Sequence, residues 1–337
     1  MGSQRFRITH LSDVGDLPLL IEPRDPGLAI TEAFPDIRTC VAENLHSSGG
    51  VLFRGFGIEG PSEFHDFAAG FNHPLLAYDF GSTPRSSVID GIYTSTEYPA
   101  SQHIPLHNEQ SYTREWVMKL WFYCMTPALT GGDTLVADSR QIFRLVRPAI
   151  RDRFISKGLM YVRNYGNGLD VPWQKVFNTT EPRKVEAYCA ARDIICEWKA
   201  NGELRTRQLS QVVERHPTTG DEVWFNQAHL FHISGLESSV RELLLDIVGT
   251  EDLPRNVYYA DNSPIELDIL EEIRSVLNET AIRFSWQADD VLLIDNMLTA
   301  HGRTPFTGNR KVLVAMSEAH SNLGSGPNNG IPLSRRL

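Results

Sequence analysis

The chain has little of what marks several protein classes. Its four cysteines (Cys40, Cys124, Cys189, Cys196) are scattered, with no Cys-x-x-Cys pair, so neither a disulfide framework nor structural zinc is indicated. No N-terminal apolar segment and no long apolar run occurs, and nothing predicts export or a membrane span. Positive charge is the minority: 32 Lys and Arg against 42 Asp and Glu give a formal charge of -10. A nucleic-acid backbone selects the opposite balance, so no nucleic-acid partner is expected. Internal repeats are absent, as is any Pro-, Gly- or Ser-rich linker that would separate two domains. The expected compartment is a reducing cytoplasm.

The 337 residues could hold two average domains, but β-rich enzymes with insertions reach this size as one. One domain over 1–337 is therefore expected. Near the N-terminus, Pro35 to Ser47 and Pro61 to Phe71 read as helices opening on proline, with a buried strand from Gly50 to Phe56 between them. Residues 77–105 are polar and loop-like, and a loop of that length in a compact domain is usually functional or disordered. Segments 138–158 and 180–192 read as helical. Val223 to Asn226 reads as a strand after the Pro217–Gly220 turn, and Ile265 to Asn278 as an amphipathic helix. After Leu323 the tail reads as mobile.

The richest signal is His107-Asn108-Glu109, followed far downstream by His301 and Arg310. On a strand, residues i and i+2 share a face, so His107 and Glu109 could reach one metal while Asn108 points away. A third ligand must come from a distant strand. His301 follows Asp290–Asp295, which reads as a buried strand, and a turn into a second short strand. Two imidazoles and one carboxylate leave positions open on Fe(II) for reagents. Alone, His-x-Glu is weak, because 11 His and 42 acidic residues produce such pairs by chance.

The context is what makes it specific. His107-Asn-Glu-Gln-Ser-Tyr112, the apolar Leu120–Met125, Pro127-Ala-Leu-Thr-Gly-Gly-Asp-Thr134 and His301-Gly-Arg-Thr-Pro-Phe-Thr-Gly-Asn-Arg310 together resemble the TauD/TfdA family of Fe(II)/2-oxoglutarate-dependent dioxygenases. Within it, the chain is similar to SyrP-like amino-acid hydroxylases of peptide natural-product (antibiotic) pathways. The resemblance runs from about Gly49 to Met316. It implies a double-stranded β-helix (jelly-roll, cupin-like) core, mainly β with flanking helices, carrying lid or insert segments at about 77–105 and 160–232. It also implies Fe(II) held by His107, Glu109 and His301, with 2-oxoglutarate and O2 as co-substrates. Arg310 stands at the family position for the distal carboxylate of 2-oxoglutarate. Arginine suits that role because its planar fork meets a carboxylate with two parallel bonds. Thr134 stands where the family places a hydroxyl donor to the same group. Gly131 and Gly132 are expected to serve the backbone. Halogenating relatives carry a small apolar residue where Glu109 stands, so hydroxylation is favoured. Val314 replaces the arginine that grips the sulfonate in the taurine-oxidising branch.

For the substrate, an amino acid free or tethered to a carrier protein, three contacts are candidates. Arg303 would share the metal-facing side with His301, either meeting a carboxylate or forming an ion pair at the barrel edge. Asn226 is either a polar contact or a buried amide satisfied by backbone. His103 either lines the pocket mouth or lies on a surface loop. His229 and His232 form a His-x-x-His among apolar neighbours, read as structural or substrate-proximal. Trp116, Trp121, Phe122, Phe225 and Trp286 are read as core. Desaturation, epoxidation or cyclisation would follow the same hydrogen abstraction. A non-catalytic small-acid-binding jelly roll and a zinc hydrolase are the other classes; the intact set of His107, Glu109, His301 and Arg310 speaks against the first, and the second leaves Arg310 and Gly-Gly-Asp-Thr unexplained.

Overall fold

A computed structural model of the chain describes residues 5–12, 15–77, 85–95, 98–166 and 168–324. The tail expected to be mobile lies almost wholly outside the described residues, as does part of the 77–105 loop. Two sheets form the centre. The larger has eight strands in the order Phe6–Ser12, Gly15–Pro23, Gly50–Phe53, Val291–Asp295, Glu115–Thr126, Lys311–Ser321, Ile92–Thr94 and Ser87–Ile89. The smaller has four, in the order Ile282–Phe284, Thr134–Asp138, Thr299–Arg303 and Ile104–His107.

From Ile104 onward the chain alternates between the sheets. It runs small (Ile104–His107), large (Glu115–Thr126), small (Thr134–Asp138) and, after an excursion, small (Ile282–Phe284). It then continues large (Val291–Asp295), small (Thr299–Arg303) and large (Lys311–Ser321). That alternation is the winding of a jelly roll, as expected. Period-two patterning explains its core. Leu120 and Cys124 point inward with Leu292, Ile294, Val312 and Val314, against Val136, Phe284 and Trp286. The intervening Trp121 and Tyr123 point outward, under the helices Ile30–Ser48 and Gly60–Ala69. Both faces of the central strand are buried, which is why Leu120–Met125 reads as a nearly continuous apolar run.

The excursion is wider than the expected 160–232. It carries helices and a four-stranded sheet (Ile194–Trp198, Leu204–Ser210, Leu159–Tyr165, Arg255–Tyr259). Its residues Phe154, Tyr161 and Phe231 share a core with Leu106 and Leu135 of the small sheet. Several boundaries also shifted. The first helix begins at Ile30 and tolerates Pro35, which removes a single backbone donor near its start. The 138–158 helix is two, Ser139–Leu145 and Pro148–Lys157, divided where Pro148 cannot continue the first.

Candidate functional site

His107 ends the strand Ile104–His107, and its antiparallel partner in register is His301. Their rings lie 4.5 Å apart, and Phe122 flanks His301 at 5.2 Å. Gly302 permits the approach: a Cβ there would stand 2.6 Å from the Ile104 carbonyl oxygen. One ligand atom from each of His107, Glu109 and His301 falls within 4.8 Å of the others.

The expected strand does not extend to Glu109. It stops at His107, and Glu109 lies in the turn that follows, with Gln110 at φ 59°. Asn296 substitutes for the missing ladder. Its Oδ1 accepts from the Glu109 N–H at 2.7 Å, and its Nδ2 donates to the Glu109 carbonyl at 2.9 Å and to that of Val117 at 2.8 Å. Asn108 turns away as expected, donating to the Asn296 carbonyl and to Ser139 Oγ. On the other side, Ile104–His107 is a sheet edge, and unpaired edge groups need partners. His229 Nε2 meets the Leu106 carbonyl at 2.9 Å, and Gln227 Nε2 donates to that of Asn108 at 2.7 Å. His229 is thus a structural cap on the strand that carries His107. Burial lowers its pKa to about 4, so it stays neutral. Nothing in the local sequence marks Asn296, Gln227 or His229 for this work.

The three side chains differ in how they are held. His107 Nδ1 lies 2.9 Å from the Pro105 carbonyl. That oxygen only accepts, so Nδ1 carries a proton and Nε2 is the ring nitrogen left for a metal. His301 is buried, and its Nδ1 has no hydrogen-bond partner. Burial, then His107 and Arg85, hold its pKa well below the usual histidine value, which leaves the neutral form that binds metals. Glu109 accepts from Arg85 Nη2 at 2.6 Å. This donor set of two imidazoles and one carboxylate, oriented by second contacts, fits a divalent first-row metal such as Fe(II).

A cavity opens beside it, lined by His107, His301, Arg85, Thr134, Arg303 and Arg310, with Phe122 and Val312 among its apolar wall. Arg310 Nε donates to the Gly132 carbonyl at 3.1 Å. Gly132 makes room for it, since a Cβ there would lie 3.0 Å from Arg310 Cδ. Burial and neighbouring Arg303 lower the Arg310 pKa to about 10, leaving it charged at neutral pH. Thr134 Oγ1 accepts from Trp286 Nε1 at 2.8 Å. The indole can only donate, so the threonine hydroxyl keeps its own hydrogen to give. Trp286 is core as expected, but this orienting bond was not legible in the sequence.

The three substrate candidates fare differently. Arg303 shares the cavity side with His301, yet its guanidinium donates to the carbonyls of Tyr98, Pro99 and Gln102. It clamps the loop before His107, and among the described residues it makes no ion pair, while its buried Nε has no hydrogen-bond partner. Asn226 is 2% exposed, bonded to the Val212 carbonyl and the Ala228 N–H. That is the backbone-satisfied alternative, away from the cavity lining. His103 is exposed on the loop and is not part of that lining.

The sequence matches the family described as Taurine catabolism dioxygenase TauD, TfdA family, over residues 14–316. It is 41% identical over 276 residues to the dapdiamide synthesis protein DdaC of Enterobacter agglomerans, covering 82% of this chain and 84% of that one. To a clavaminate synthase-like protein of Arabidopsis thaliana it is 31% identical over 286 residues, covering 81% and 82%. Among solved structures it resembles PvcB of Pseudomonas aeruginosa, described as an Fe, alpha-ketoglutarate dependent oxygenase from an isonitrile synthetic pathway. The TM-score is 0.57 at 16% identity, covering 96% of each chain. AAD-2 in complex with Mn(II) and N-oxalylglycine matches with TM-score 0.53 at 13% identity, over 94% of this chain and 98% of that one. At those identities the structures speak for the fold. The chain belongs to the TauD/TfdA family and is a 2-oxoglutarate-dependent non-haem iron dioxygenase. Among the described residues no helix is long and apolar enough to cross a membrane.

Proposed function

We propose that His107, Glu109 and His301 hold the Fe(II), and that Arg310 and Thr134 hold the distal carboxylate of 2-oxoglutarate. On this reading the whole chain is one catalytic unit that hydroxylates an aliphatic C–H bond of an amino acid, free or tethered to a carrier protein, in a natural-product pathway. The observation that carries it is the convergence of three ligand atoms within 4.8 Å beside a cavity lined by Arg310 and Thr134. The similarity to a dapdiamide synthesis protein supports the pathway. All four cysteines are free thiols, which suits a reducing cytoplasm.

When bound, the iron with O2 and 2-oxoglutarate supplies the oxidising power to break an unactivated C–H bond, releasing succinate and CO2. The chain's own residues supply the rest. His107, fixed by the Pro105 carbonyl, and Glu109, fixed by Asn296, present their donors without reorganising. Arg310, desolvated and anchored on Gly132, offers the remaining donors of its fork to a carboxylate. Thr134, oriented by Trp286, adds one O–H. Phe122, Val312 and Ile104 line the cavity with apolar groups that disfavour water. Glu109 occupies the position a halide would need, which supports oxygen insertion.

The test is mass spectrometry of the product formed under 18O2 from a panel of amino acids, free and carrier-bound. The product should gain one labelled oxygen. Loss of two hydrogens with no label would replace hydroxylation by desaturation or ring closure.

A further inference from the structure

We propose that Gln211 is a positioning residue for Glu109, and that through it the excursion helps set how tightly the site holds its metal. This rests on the assignment of His107, Glu109 and His301 as metal ligands.

Glu109 stands in a turn, outside the ladder that fixes His107, and Gln110 beside it takes φ 59°. A non-glycine residue in that left-handed region persists only where its surroundings over-determine it. The buried carbonyls of such a turn also need donors from elsewhere. Side-chain amides supply them. Asn296 grips Glu109 itself, and Gln227 takes the carbonyl of Asn108, one residue before. Gln211 closes the other end. Its Nε2 donates to the carbonyls of Ser111 at 2.8 Å and of Thr113 at 2.9 Å, two and four residues beyond Glu109.

Gln211 is held as firmly as it holds. It is 0% exposed, between the strands Leu204–Ser210 and Val213–Arg215 of the excursion. Both Nε2 hydrogens go to carbonyls, which only accept, so the amide has one workable orientation. Its Oε1 accepts from Ser210 Oγ at 3.0 Å and from Asn322 Nδ2 at 3.4 Å. Asn322 is fixed in turn by buried Arg114, which donates to its Oδ1 at 3.0 Å and to its carbonyl at 2.6 Å. The same guanidinium reaches Asp193 of the excursion at 2.8 Å. A chain of buried bonds thus runs from the excursion to the carbonyls that follow Glu109. Removing the Gln211 amide takes away the donor that holds the Ser111 carbonyl. The strained turn is then free to relax, carrying the Glu109 carboxylate away from His107 and His301. Outer contacts that orient a metal ligand are typically worth about 10–100-fold in metal affinity or activity.

The test separates positioning from plain stability. It compares the full-length wild type with Gln211→Met, which keeps the bulk but no donor, and with Asn164→Leu. Asn164 is a matched control in the excursion, buried and with partners outside the turn. Its Nδ2 donates to the carbonyls of Glu251 and Leu253, and its Oδ1 accepts from Arg205. Urea midpoints should fall in both variants. Anaerobic calorimetry should show Co(II) binding weakened roughly tenfold or more in Gln211→Met and unchanged in Asn164→Leu. The visible d–d absorption of bound Co(II), which reports ligand geometry, should move in Gln211→Met only. Should circular dichroism show Gln211→Met unfolded, Gln211→Asn, whose amide stops one methylene short, takes its place with the same expectation. Wild-type affinity and spectrum in the Gln211 variant, or an equal loss in Asn164→Leu, overturns the proposal. A wild type that binds no Co(II), or His301→Ala that binds it as well as wild type, removes the metal assignment itself, a separate outcome.

Discussion

Among the described residues there are two clusters of two histidines and a carboxylate, and their hydrogen bonds tell them apart. One is His107, Glu109 and His301; the other is His46, His216 and Asp295, with ligand atoms equally close. In the second, His216 Nδ1 accepts from the backbone N–H groups of Thr218 and Thr219. Its proton is therefore on Nε2, which donates to Asp295 Oδ2 at 3.1 Å. Asp295 Oδ1 accepts from the N–H groups of Met297 and Leu298. Every inward lone pair of His216 is spent, and Asp295 is a turn-maker between the two sheets. In the first cluster His107 keeps one ring nitrogen free, and His301 Nδ1 is buried without a partner. Composition and distance are shared; the free ring nitrogen distinguishes the proposed metal site from a structural pair.

Exchanging the roles of the two clusters by mutation is the direct way to break this contrast. The largest effect should come from His301→Ala or Glu109→Ala, which ought to abolish substrate oxidation and stoichiometric metal binding. Next is the cation beside the first cluster. Arg310→Ala should raise the 2-oxoglutarate KM roughly 10²-fold or more, because breaking a buried charge pair costs about 3–5 kcal/mol. An unchanged KM would transfer that role to another group. Thr134→Val should cost less, about 1–3 kcal/mol for one neutral donor. In the second cluster, His216→Ala should leave metal content intact while lowering stability by about 1–3 kcal/mol, since a buried hydrogen bond to Asp295 is lost. Urea denaturation reads this, and loss of metal instead of stability would reverse the contrast.

A smaller, pH-dependent effect concerns two buried histidines that belong to neither cluster. Burial lowers the pKa of His229 and of His232 to about 4. The unfolded chain titrates them near 6.5. Below that value the unfolded state binds more protons, so their contribution to stability is whole above about pH 6.5 and is lost as pH falls toward 4. Urea midpoints of His229→Gln and wild type should therefore converge on acidification. Parallel curves would mean that His229 titrates normally.

How much of this the sequence discloses depends on the range of each contact. His107 and Glu109 are singled out by residue type at short spacing, and His301, Arg310 and Thr134 by the family resemblance, so the proposed site can be named from sequence before its geometry is seen. The jelly roll is legible through period-two patterning and the doubly buried Leu120–Met125. Less was recoverable where the decisive bond joins remote residues. Asn296 grips Glu109 across 187 positions, Gln227 grips Asn108 across 119, and Trp286 orients Thr134 across 152. Glu109 could be read as a strand residue because a side chain that converges on His107 and His301 from a turn has the same i, i+2 signature. Arg303 and Asn226 were ambiguous since backbone groups, their partners here, leave no trace in residue type. The second cluster is invisible in one dimension altogether.

Metal stoichiometry tests the central claim most directly. Anaerobic titration with Fe(II) or Co(II) should give one ion per chain in the wild type, one in His216→Ala and none in His301→Ala. Two ions per chain, or loss of the ion in His216→Ala with retention in His301→Ala, would contradict it.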